Sequence, residues 1–446
     1  MTTSIGLFDR QKNRQLFALA LPMILSNITV PLLGLVDTAV IGHLSDAYYL
    51  GGVAVGSTII TLLFWLLGFL RMATTGMVAQ AYGADDKPRQ LQLLMQAGTL
   101  ALFLGLMALL LQGPILSLAA SLSDASEQVS HYAASYFSIR IWSAPFALLN
   151  LALLGWLLGR QQPKAAMWQL IIANCANIAL DLLFVIGLGW GVEGAALASV
   201  IADMTACAVA CTMVLRQLKQ FNVPPIAELL GQLHPRDFGR LLSLNLDIFI
   251  RSLCLQATFA FMTFKGAGLG DETVAANAVL LNMLLLISYA LDGIAYYAEA
   301  EVGRTTGQKH LDALKQAVFL AFSWSAIIAL GFSGCFWIFG EQLIGMLTNI
   351  PEVRQVALIY LPWLIALPLL AFASYLFDGV YIGATKGKVM RNSMIFASLA
   401  VFFPVWFMLQ PLGNHALWAA MSAFMLARSL SLGLHFLWRR RQFIPA

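Results

Sequence analysis

Charged side chains are scarce in this sequence. Asp, Glu, Lys and Arg make up 11% of its 446 residues, where a soluble domain carries about 25%. With 60% hydrophobic residues and a mean hydropathy of +0.78, the chain cannot surround one core with a water-facing surface, and lipid must solvate much of it. Cysteine is sparse and unpatterned: Cys175, Cys207, Cys211, Cys254 and Cys335 lie inside apolar runs, their number is odd and no CxxC occurs. That argues against a disulfide framework or a zinc site and for free buried thiols. The six histidines (His43, His131, His234, His310, His415 and His435) are isolated, so no metal cluster is expected. There is no GxxxxGK[ST], HExxH or GxSxG motif and no polar stretch long enough for a soluble catalytic domain. The chain is therefore expected to be neither an ATP-driven pump nor an enzyme, and to need no cofactor. The net charge of +4 has no basic stripe with interleaved aromatics, which speaks against nucleic acid.

What is present is a succession of apolar runs. They predict an all-α membrane protein of about twelve spans, at 15–41, 50–81, 91–120, 130–158, 165–188, 192–216, 237–264, 274–302, 312–340, 353–384, 389–410 and 414–437. Arg10, Lys12 and Arg14 precede the first run, which continues to about Gly42. That is too long for a signal-peptide core, so it is read as the first transmembrane helix. Lys265 and Arg354 fall in loops on one side and Arg71, Arg140, Arg251 and Arg428 within spans; the other 20 of the 26 Lys and Arg residues share the opposite side. The positive-inside rule then predicts both termini in the cytoplasm.

The chain also repeats itself. AQAYGADDKPRQLQLLMQA at 79–97 aligns with EAEVGRTTGQKHLDALKQA at 299–317, an offset of 220, and LLGWLLGRQQPK at 153–164 with FDGVYIGATKGK at 377–388, an offset of 224. Each match places a Gly-containing cytoplasmic turn after a long helix. Six spans separate the copies, so the halves share one topology and form a parallel repeat. The expected organisation is an N-lobe at 1–216, a linker at 217–236 holding Pro224, Pro225 and Pro235, and a C-lobe at 237–446. Two such lobes suit alternating access.

Ionisable residues within spans are functional candidates. Asp37, in PLLGLVDTAVIG, has no Lys or Arg one turn away; it is either a proton-loading carboxylate or one satisfied by packing or water. Asp181 has Asn177 one turn before it, on the same helix face. Its counterpart near Phe403 in the second half lies in a stretch with no carboxylate. This asymmetry points to a special task in the N-lobe, with drift as the alternative. Asp247 and Arg251 stand at i and i+4, the spacing of an intrahelical ion pair, favoured here over proton transfer. Asp292 and Asp378 show no partner in sequence and serve either a cation or proton step or packing. Pro22 and Pro31 interrupt the first helix, as static curvature or as a hinge. Phe259, Phe261, Met262, Phe264 and Met283 are core or lipid-facing residues, or else an adaptable substrate pocket.

The first span, LALPMILSNITVPLLGLVDTAVIGHL, together with LDIFIRSLCLQATFAF and FDGVYIGATKGKVMRNSM, resembles the multidrug and toxin extrusion (MATE) family in its DinF branch, over nearly the whole chain. The resemblance implies a V-shaped transporter of two six-helix lobes. It implies export of amphipathic, often cationic compounds against proton or sodium entry, from an inner membrane and as a monomer. It places the coupling site on Asp37, with Asp181, and a supporting network on Pro22, Tyr136, Asn177 and Ser199. In the NorM branch C-lobe acids are tied to sodium. Asp378 matches that pattern only loosely, which favours protons over sodium here. The rivals are a lipid-linked precursor flippase, which would want a cationic cavity, a channel, and a membrane enzyme.

Overall fold

The computed structural model describes residues 9–41, 47–121, 126–219, 221 and 238–443; the side chains of residues 30–39, 41 and 47 lie outside the description. Among the described residues every regular element is helical. Eleven helices are long and apolar enough to cross a membrane. With the first helix, α1 (Arg10–Ile41), they are α2 (Tyr48–Gly83), α3 (Lys87–Leu110), α4 (Glu127–Gly159), α5 (Pro163–Gly187), α6 (Gly191–Leu218), α7 (Gly239–Ala267), α8 (Asp271–Gly307), α9 (Leu311–Leu347), α10 (Pro351–Gly383), α11 (Gly387–Leu412) and α12 (Asn414–Phe443). Large apolar side chains such as Phe264, Trp337, Met346 and Trp438 stand exposed on them, as lipid-facing positions must.

Local sequence explains where the helices begin. Asp86 caps α3 by accepting from the Arg89 backbone N–H at 2.9 Å, and Ser126 caps α4 through the Val129 N–H at 3.3 Å. Proline opens α5 and α10, where its missing N–H costs nothing. α5 and α11 each pass into a π-helical stretch, Leu182–Gly187 and Phe396–Phe402.

The helices form two compact units, residues 25–242 and residues 1–24 with 243–446. The expected organisation assigned all of α1 to the N-lobe; its residues 10–24 group with the C-terminal half. The side chains of α1 show why. The Trp324 indole N–H donates to Asn13 Oδ1 at 2.6 Å, Phe17 meets the Trp324 ring edge-on at 4.6 Å, and Gln15 Nε2 donates to Glu301 at 3.3 Å. Pro22 lies in this portion of α1. Most of the expected linker, residues 220 and 222–236, lies outside the described residues.

Within each unit the same helix is central. In the N-terminal unit α4 packs on α2, α3 and α6; in the C-terminal unit α10 packs on α8, α9 and α12. The contacts of α4 with α2 and of α10 with α8 each use a Gly-xxx-Gly pair. A Cβ on Gly155 would lie 2.6 Å from the Arg71 carbonyl of α2, and one on Gly379 would lie 2.4 Å from the Ala295 carbonyl of α8. Only glycine permits this backbone approach.

The turns at one end of the units repeat as well. Asp85 and Lys309, and Gln161 and Thr385, adopt positive φ and are each 224 residues apart. The left-handed position is therefore held by non-glycine residues. The offset of 220 expected for the first pair of segments is corrected to 224. The two alignments differ by one helical turn, which leaves the helix face unchanged.

Side chains with two sequence readings are resolved by the packing. Met262 and Met283 are fully buried in the C-terminal core, Phe259 and Phe261 pack against it and Phe264 is exposed, so these residues are core and lipid-facing. The five cysteines are free thiols, although Cys175 is exposed rather than buried.

Candidate functional site

The N-terminal unit holds a polar cavity of about 360 Å³ among α2, α4, α5 and α6. Tyr136 and Arg140 of α4, Gln169 and Asn177 of α5, and Ser199 and Asp203 of α6 line it. Three of these were predicted, and helix periodicity explains why they meet. Tyr136 and Arg140 share a face of α4, Ser199 and Asp203 a face of α6, each four residues apart.

Asp181 is 2% exposed and Asn177 3% exposed. With the Asn177 amide turned to satisfy both its ends, Nδ2 donates to Asp181 Oδ2 at 3.1 Å, and the amide oxygen accepts from the Ser199 N–H at 3.2 Å and the Ser199 hydroxyl at 3.3 Å. The structure thus joins Asp181, Asn177 and Ser199 in one network, with Tyr136 on the same cavity. Asp181 is the last residue of regular α-helix before the π-helical stretch of α5, a departure that often accompanies functional sites. Asp37 belongs to α1, but its side chain lies outside the described residues, as does that of Pro31.

Sequence reasoning missed Asp203 and passed over Arg140. The two form an ion pair at 2.6 Å within the cavity wall. The signal that could have found them was the spacing just described: each stands one turn beyond a residue already singled out.

The C-terminal unit has a different polar centre. Asp378 of α10 accepts through one carboxylate oxygen from Arg251 of α7 and, at 2.7 Å, from Arg428 of α12. Asp247 accepts from Arg391 of α11 at 2.7 Å. The expected intrahelical pair of Asp247 with Arg251 is therefore not made, and Asp378 is not without a partner. The cause is the close approach of α11. A Cβ on Gly387 would lie 2.9 Å from the Asp247 Cβ, so Arg391, one turn further on, reaches Asp247 and leaves Arg251 to Asp378. Asp292, on α8, is half-buried within electrostatic range of Tyr289 and Tyr375.

Two halves with matching helix packing, one of them carrying a polar cavity, define a helical membrane protein built on a parallel repeat. The comparisons with known proteins agree. The chain belongs to the MatE family, whose model matches it twice, at residues 22–183 and 248–408. It is 46% identical to the DNA damage-inducible protein F of Escherichia coli, over 97% of this chain and 93% of that protein. It is 22% identical to the multidrug export protein MepA of Staphylococcus aureus, over 88% of this chain and 86% of that one. A crystal structure of MATE in complex with MaD3S has the same fold, with a TM-score of 0.85 at 20% identity, covering 99% of this chain and 98% of that one. The chain is thus a multi-pass membrane transporter.

Proposed function

We propose that this transporter exports amphipathic, cationic compounds in exchange for protons, by alternating access, from a bacterial inner membrane with both termini in the cytoplasm. The observation that carries the reading is the buried carboxylate of Asp181, hydrogen-bonded to Asn177 beside a polar cavity of the N-terminal unit. The C-terminal carboxylates Asp378 and Asp247 hold arginines of the protein itself, so their counter-charge is built in. The N-terminal unit joins Asp181 to neutral donors, Asn177 and through it Ser199, beside a polar cavity. A buried carboxylate in a hydrogen-bond network beside a cavity suits an exchangeable proton.

In the proposed cycle protons entering from outside neutralise Asp37, with Asp181, and the hydrogen-bond network of Asn177, Ser199 and Tyr136 rearranges. Loss of that charge removes the need for hydration, and α1 bends near Pro22. The cavity shrinks, the substrate leaves, and the proton is released inward. Moving a two-state equilibrium almost completely takes about 5.5 kcal/mol. A proton-motive force of about 150–200 mV supplies roughly 3.5–4.6 kcal/mol per charge, so two protons suffice.

The test is dye movement into or out of proteoliposomes under an imposed pH gradient or an imposed sodium gradient, for wild type and Asp37→Asn. Movement driven by the pH gradient and lost in Asp37→Asn is expected. Movement driven by sodium and retained in Asp37→Asn would overturn the assignment.

A further inference from the structure

Arg140 and Asp203 are the charged residues lining the cavity, and Arg140 also hydrogen-bonds Tyr136 of the network described above. The guanidinium is held from several directions: by Asp203 at 2.6 Å, by the Ser143 hydroxyl, and over the Phe64 ring at 5.6 Å from its centre. The Asp203 side chain is the more open of the pair, 26% exposed against 13% for Arg140. Gln169 and Asn150 line the same cavity, and their amide oxygens, Oε1 and Oδ1, are enclosed by protein until the amides turn toward it. Both are buried and have no hydrogen-bond partner among the described residues, and Gln169 as a residue is 1% exposed. Unmet buried acceptors are costly, so a ligand that supplied N–H donors would gain from both of them.

We infer that Asp203 is the carboxylate that receives the substrate's cation in this cavity, that Arg140 is its built-in placeholder, and that the site selects cations carrying N–H donors over fully alkylated ones. The inference rests on the exporter reading and refines it. A bound ammonium or amidinium takes the place of Arg140 on Asp203. Arg140 then rests on Ser143 and Phe64, contacts it already makes. Gln169 and Asn150 take the ligand's remaining N–H groups. A quaternary cation can neutralise Asp203 but leaves both amide oxygens unmet, and so binds less tightly. A cavity of this volume, about 360 Å³, falls within the range of small-molecule sites.

The test uses the purified full-length protein and fluorescence anisotropy with two cationic dyes, a rhodamine whose amines carry N–H and tetramethylrhodamine methyl ester, whose amines are fully alkylated. Wild type should prefer the first. Arg140→Gln should tighten both dyes by roughly tenfold, which is about 1.4 kcal/mol, and Asp203→Asn should weaken both by a similar factor. Gln169→Leu should narrow the preference between the dyes. The double variant Arg140→Gln with Asp203→Asn keeps the cavity neutral and should bind more weakly than Arg140→Gln, which guards against a single variant that fails to fold. Unchanged binding in Asp203→Asn, or weakened binding in Arg140→Gln, would overturn the inference while leaving the exporter reading intact. A wild type that neither binds nor moves either dye would overturn both.

Discussion

At the scale of residues, Asp378 carries an outsized structural burden. It is the shared acceptor for two guanidinium groups whose side chains are only 8% and 2% exposed. Removing one partner of such a buried cluster leaves charge uncompensated, at a cost of about 3–5 kcal/mol. Asp378→Asn should therefore lower the thermal midpoint of the detergent-solubilised protein sharply, whereas Arg251→Met, which leaves one pair in place, should cost less. Asn277 holds a neutral counterpart. Its oxygen accepts from Trp418 Nε1 at 2.8 Å and from Asn414 Nδ2 at 2.9 Å. Asn277→Ala should destabilise by about 1–3 kcal/mol by stranding those donors, measured by the same melting experiment. This is also the scale at which sequence was least legible. Asp181, Asn177 and Ser199 could be anticipated because Asn177 and Asp181 share a helix face and the family pattern supplied Ser199. The pairing of Arg251 could not, since its partner depends on how closely Gly387 lets α11 approach α7.

At the scale of elements, two devices recur in both halves: the Gly-xxx-Gly contact and the left-handed turn residue. Gly379 and Gly383 sit against backbone atoms of α8 that cannot move aside. Gly379→Val should force α8 and α10 apart and cost at least about 1–3 kcal/mol, seen as lower yield and a lower melting midpoint. Thr385 offers the opposite case. A β-branched residue at φ 54 pays about 1–2 kcal/mol for that conformation. Thr385→Gly should raise the melting midpoint, while Thr385→Val should not. The helices themselves were legible from apolar run length, and their ends fell within a few residues of the expected positions in most cases. The turns were not: the sequence pointed to their glycines, whereas the strained positions belong to Asp85, Gln161, Lys309 and Thr385. The same ambiguity concealed the common offset, because a shift of one helical turn preserves the apolar pattern.

At the scale of the whole molecule, the halves share a backbone plan and differ in their polar cores. At the repeat offset of 224, Asp181 faces Val405 and Arg140 faces Leu364; neither C-terminal position is ionisable. Duplication explains the common architecture, and divergence of buried charge gives each half its own polar centre. The two-fold architecture was legible in the sequence because repeated turns and span counts survive divergence. The division at residue 24 was not, because nothing in the apolar pattern of α1 marks which neighbours its first turns choose.

The central claim is that the N-terminal carboxylates carry a proton that substrate displaces. It is tested most directly by adding a cationic dye to lightly buffered purified protein and recording the pH. The account predicts proton release on binding, lost in Asp37→Asn and retained in Arg251→Met. Dye binding that releases no proton in wild type, or release that persists in Asp37→Asn, would contradict it.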